Sequence, residues 1–105
     1  MSSSPTASTG RVRHLEREIA AVVGPMVPAG FRVYLFGSRA SGRAHRRSDF
    51  DIGVVGPSAV DGSVLERMRD ALDLLPTLHR FDVVDLMTTT PRFRERALRT
   101  AIPLI

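Results

Sequence analysis

The 105-residue sequence has no cysteine. Disulfide frameworks and thiolate metal sites are therefore excluded, and a reducing compartment, the cytoplasm, is the expected location. No stretch approaches the ~18 apolar residues that a membrane span requires. The opening MSSSPTASTG lacks the basic start and apolar run of a secretory signal. Residues 1–10 read as a disordered tail, ahead of a single domain over residues 11–105. Aromatic residues make up only 6% of the chain, too few to interleave with arginines as a stacking surface, so extended nucleic-acid binding is not expected. Lysine is missing too: all fifteen basic residues are arginine. There is no internal repeat.

The formal charge is +4, and its location is informative. Residues 37–48 contain Arg39, Arg43, Arg46 and Arg47 with no acid, while the remaining eleven arginines are matched by eleven acids. The excess sits in one loop, which suits local capture of an anion.

Apolar residues Val12, Leu15, Ile19 and Val22 recur at helical spacing, and Gly24-Pro25 ends that pattern, predicting an amphipathic helix from Arg11 to Val23. Phe31 to Phe36 and Phe50 to Val55 read as strands, separated by a short helical turn, SRAS, and an exposed loop over residues 43–48. Asp61 is a plausible N-cap for a helix whose face is Val64, Leu65, Met68, Ala71, Leu72 and Leu75. Residues 80–87, RFDVVDLM, give a third strand. Thr90 and Pro91 then start a last helix with Phe93, Ala97, Leu98, Ala101 and Ile102 inward. The expected fold is α/β (α+β): a small mixed sheet of three to four strands with helices packed on one face and the site on the other.

Strand alternation sends Asp49 and Asp51 to one side of the sheet and Phe50 and Ile52 to the other. Two carboxylates ~6–7 Å apart repel by roughly 2–3 kcal/mol at an effective dielectric near 20. A hard divalent cation reverses that sign, and magnesium accepts carboxylate oxygens while leaving positions for phosphate. The plain alternative is a pair of solvated acids neutralised by Arg46 and Arg47. Gly37 allows the backbone to turn close to a ligand, and Ser38 opens a helical turn whose free N–H groups suit a phosphate. Asp82 and Asp85 lie three apart on opposite faces of their strand, so only one can join the pair. Apolar neighbours flank both, and periodicity does not choose between them. His14, His45 and His79 have no partner at metal-ligand spacing and read as structural or surface residues.

The string GSRASG…SDFDIGVV…DVVDL, with Gly37-Ser38 set ten residues ahead of Asp49-x-Asp51, resembles the signature of the DNA polymerase beta-type nucleotidyltransferase superfamily. Within it, the chain is most similar to the minimal nucleotidyltransferases, which include antitoxins paired with HEPN-domain toxins. The resemblance implies that Gly37 and Ser38 hold the triphosphate of ATP and that Asp49, Asp51 and Asp82 ligate two magnesium ions. Arg39, one residue past Ser38, is a candidate second phosphate contact, since a guanidinium grips two oxygens. Asp85 is the rival to Asp82. Relatives often carry a bulkier apolar residue at the position of Gly53.

The chemistry so implied is attack of an acceptor hydroxyl on the α-phosphorus, with pyrophosphate leaving. No residues remain for an acceptor-binding domain, so the expected acceptor is a second protein, a HEPN-type toxin that receives AMP. Two alternatives stand beside this one: a toxin-binding module that neutralises by occlusion without transfer, and an aminoglycoside-type nucleotidyltransferase acting on a small molecule.

Overall fold

The computed structural model describes residues 7–42 and 49–105. Arg43, His45, Arg46, Arg47, the first six residues of the tail and the side chain of Val12 lie outside the described residues. The order of elements is α1 (Ala7–Val23), a 3-10 turn (Gly24–Met26), β1 (Arg32–Phe36), α2 (Ser38–Ser41), β2 (Phe50–Val55), α3 (Gly62–Asp73), β3 (Phe81–Asp85), a second 3-10 turn (Leu86–Thr88), α4 (Pro91–Arg99) and β4 (Ile102–Pro103). The sheet runs β3-β2-β1-β4. β1 is antiparallel to both β2 and β4, whereas β2 and β3 are parallel and joined across α3.

The α1 helix starts at Ala7, four residues ahead of the Arg11 start that its periodicity predicts, because the added turn carries no apolar spacing to signal it. Leu15, Ile19 and Val23 of α1 and Val64, Met68 and Leu72 of α3 form the main core with Val33, Leu35, Phe50, Ile52, Val54 and Val83 of the sheet. These are the alternate positions of the strands, so α1 and α3 cover one face. A smaller cluster of Phe36, Leu86 and Ala97 lies on the opposite face, with Val55, Val84, Leu98 and Ala101 around it. The last helix therefore packs there, at one side of the face that carries the acids. Gly53 makes this second cluster possible. A Cβ at that position would stand 2.6 Å from Leu86 Cδ1 and 3.2 Å from Phe36 Cδ1, so Leu86 and Phe36 fill the space that a side chain there would take.

The helical assignment of Ala101 and Ile102 is corrected. α4 stops at Arg99, Thr100 leaves the helical region at φ −119°, and Ile102 and Pro103 pair with Leu35 and Tyr34 on the free edge of β1. Strand pairing there gives backbone groups partners, with Leu104 N–H donating to the Val33 carbonyl at 2.8 Å. Phe93 is 46% exposed and meets Phe36 edge-on at 6.2 Å. At the other border of the sheet, Arg69 of α3 donates to the Val83 carbonyl of β3 at 2.9 Å.

The third strand ends at Asp85, two residues earlier than the sequence pattern suggests, and Asp85 itself supplies the reason. Its buried carboxylate accepts from Val60 N–H at 2.9 Å and Met87 N–H at 3.0 Å, bending the chain into the 3-10 turn. Replacing Asp85 with alanine leaves both donors without that acceptor. The expected loss is about 2–4 kcal/mol, read from urea unfolding. A loss below about 1 kcal/mol would remove Asp85 from the role of structural tie.

Candidate active site

Phe50 and Ile52 are fully buried on the α1/α3 side, so Asp51 between them projects from the opposite face. Asp49 precedes the strand and is exposed. In the parallel pairing of β2 and β3, Asp51 stands in register with Asp82, one inter-strand spacing of ~4.8 Å away along the sheet. Asp85 points into the other face. Of the two acids that periodicity leaves open, Asp82 is thus the one beside Asp51. The electrostatics agree. The carboxyl of Asp51 is pushed above its usual range, first by burial, then by the negative charge of Asp82, then by that of Asp49.

The Gly37-Ser38 turn lies against the same acid. Phe36 pairs with Asp51 across β1 and β2, and Gly37 follows with φ 78° and ψ −154°, a conformation that only glycine adopts readily. A Cβ on Gly37 would collide with the Asp51 carboxylate. The carbonyl of Gly37 accepts from the N–H groups of Ala40 and Ser41, both at 3.1 Å. Gly42, at φ 80°, closes the turn onto the Ser38 carbonyl. As in any first helical turn, the N–H groups of Ser38 and Arg39 have no acceptor within the helix. Backbone donors of the turn and three carboxylates are thereby collected at one end of the sheet.

Arg39 goes elsewhere. Its guanidinium lies 4.5 Å above the Phe50 ring and its Nη2 is 3.3 Å from His79 Nδ1, on the side of the sheet to which Phe50 belongs. The sequence offers no periodic signal for this contact, because it joins residues forty apart. Burial holds the Arg39 guanidinium below arginine's ordinary value. Burial, and secondly the charge of Arg39, lower the basicity of His79.

A divalent cation suits the donor set. All three groups are hard carboxylate oxygens, and the negative charges of Asp82 and Asp49, which add to burial in raising the proton affinity of Asp51, favour positive charge there. Among the described residues no three histidine, aspartate or glutamate side chains already stand gathered around a metal position.

The family described as polymerase beta nucleotidyltransferase matches residues 31–105, from the start of the first strand through the whole candidate site. A Haemophilus influenzae protein named "Probable protein adenylyltransferase MntA" is 30% identical over 77 residues, covering 73% of this chain and 67% of that protein. Among solved structures, one described as a minimal nucleotidyltransferase superposes with a TM-score of 0.71 at 31% identity, over 90% of this chain and 93% of the other. A toxin-antitoxin structure with AMP-PNP superposes with a TM-score of 0.64 at 26% identity, over 86% of this chain and 72% of that one. No described helix is long and apolar enough to cross a membrane. With its matched segment carrying both the glycine-serine turn and the acids beside it, the chain belongs to the polymerase beta-type nucleotidyltransferase family.

Proposed function

We propose that this nucleotidyltransferase moves AMP from ATP to a hydroxyl of a partner protein, and that the partner is a HEPN-type toxin which the transfer neutralises. The observation that carries the proposal is the contact between the glycine turn and Asp51, for which Gly37 must lack a side chain. It sets a phosphate-binding turn directly beside carboxylates of the kind that hold magnesium. The adenylyltransferase name of the Haemophilus relative and the AMP-PNP in the toxin-antitoxin neighbour support the choice of nucleotide and of partner.

Asp49, Asp51 and Asp82 would hold two magnesium ions, which when bound supply charge neutralisation at the triphosphate and acidify the acceptor hydroxyl. The Gly37-Ser38 turn binds the β- and γ-phosphates through backbone N–H groups and the serine hydroxyl, which fixes the α-phosphorus over the acids. The acceptor oxygen forms a bond to that phosphorus, the bond to the bridging oxygen breaks, and pyrophosphate departs with the electron pair. Asp82, exposed at the outer strand, takes the hydroxyl proton.

The test is transfer of label from α-labelled ATP, with magnesium, to a toxin encoded beside the protein's own reading frame. Wild type should label the toxin, and Asp49→Asn should reduce labelling to background. Should Asp49→Asn bind the toxin and protect cells as well as wild type does, protection comes from occlusion and the transfer account fails.

A further inference from the structure

Phe50 and Phe81 stand in register one residue ahead of Asp51 and Asp82. By strand alternation the two rings therefore form the reverse side of the two acids. Their centroids are 5.7 Å apart. His79 meets Phe50 edge-on at 5.1 Å, and the Phe50 N–H donates to the Arg80 carbonyl at 2.9 Å, tying β2 to the segment that leads into β3. The ring of Phe50 is thus the hub at the back of the site, and Arg39 is the group from α2 that reaches it.

We infer that Arg39 is a positioning residue: its guanidinium, laid over the Phe50 ring and hydrogen-bonded to His79, holds the Gly37-Ser38 turn in line with the Asp51–Asp82 pair. The inference rests on the proposed transfer reaction for its functional meaning and on geometry alone for the tie itself. Arg39 is the second residue of a four-residue helix, so a short turn with little stability of its own is fixed by a long side chain that reaches β2 and the segment leading into β3. A cation over an aromatic face and a donor–acceptor contact to a neutral imidazole are each modest interactions, but both are partly shielded from water here. The His79 ring must be neutral, with its proton on Nε2, for Nδ1 to accept. The lowered basicity of His79 keeps it so at neutral pH.

A role in positioning differs from a direct phosphate contact in what His79 should do. Amide hydrogen exchange at Ala40 and Ser41, whose N–H groups bond the Gly37 carbonyl, reads the turn whether or not transfer occurs. Arg39→Gln should speed exchange at both amides about tenfold, His79→Ala should speed it severalfold, and Arg39→Lys should lie nearer wild type because it keeps a cation over the ring. The double variant should be no worse than Arg39→Gln alone. Amides of α3 should be unchanged, showing an intact fold. In the transfer assay, Arg39→Gln and His79→Ala should both lower kcat with the KM for ATP held within about threefold. A raised KM for ATP in Arg39→Gln, with His79→Ala silent, would overturn positioning in favour of phosphate contact. Unchanged exchange at Ala40 and Ser41 in both variants would overturn the tie outright. A wild-type protein without transferase activity sinks the proposed function, and the exchange data then decide the tie by themselves.

Discussion

Replacing Asp51 with asparagine is expected to cut the proposed AMP transfer by about a hundred- to a thousandfold while making the metal-free protein more stable. The two effects have one origin. Asp51 is half-buried between Asp82 and Asp49, and both burial and those neighbours disfavour its charge. Unit charges one strand apart repel by roughly 3 kcal/mol at an effective dielectric near 20, and partial exposure reduces this to about 1 kcal/mol. Asparagine removes the repulsion at nearly the same shape, so the melting temperature should rise by about 4–8 °C. The gain should depend on pH with a definite sign. The folded protein holds the Asp51 proton more tightly than the unfolded chain does. The stability contributed by this carboxyl is therefore complete below its unfolded value near 3.8 and is lost as pH rises through its raised folded value. The advantage of Asp51→Asn should be largest at neutral pH and should vanish on acidification. Asp61 works in the opposite sense, its carboxyl lowered by hydrogen bonds from Ser63, but it is common to both proteins and cancels in the difference. Magnesium should reverse the order, stabilising wild type and not the variant. Equal responses to magnesium would dismiss the shared-cation account.

Gly37→Ala should be the most damaging change that leaves every charge in place. The backbone at φ 78° and ψ −154° costs a residue with a Cβ about 1–3 kcal/mol, and the added methyl would collide with the Asp51 carboxylate. Relief requires the turn or the acid to move, and displacements near 1 Å at a reacting centre cost about a hundredfold in rate. Gly42→Ala is the control. It has a similar φ of 80° but nothing within 4 Å of a Cβ, so it should cost about 1 kcal/mol of stability and little activity. Equal loss of transfer in both variants would assign the effect to strain in the turn and detach Gly37 from the acid.

Local signals make much of the structure legible in the sequence. The caps at Asp61 and Thr90 are hydrogen bonds to residues two and three positions onward, so a short window of sequence contains both partners. Alternation along β2 placed Asp51 opposite Phe50 and Ile52 for the same reason. What stayed hidden was set by distant neighbours. Asp82 and Asp85 could not be ranked because Phe81 and Val83 on one face and Val84 and Leu86 on the other are all apolar, and the second face has a core of its own only because α4 folds back over it. β4 has two residues, too few for a period, and its partner lies about seventy positions earlier. The direction of Arg39 depends on where β2 and the segment before β3 meet, which no window of the sequence contains.

The borders of the sheet have a consequence for association. On the outer strand beside β1, Pro103 offers no N–H, and on the opposite border Arg69 already occupies a carbonyl of β3. Each rim thus withholds one backbone group from a further strand, which disfavours lateral growth into fibres. If the proposed partner docks through side chains displayed on the faces, binding is more open to retuning by point substitution than strand addition would be.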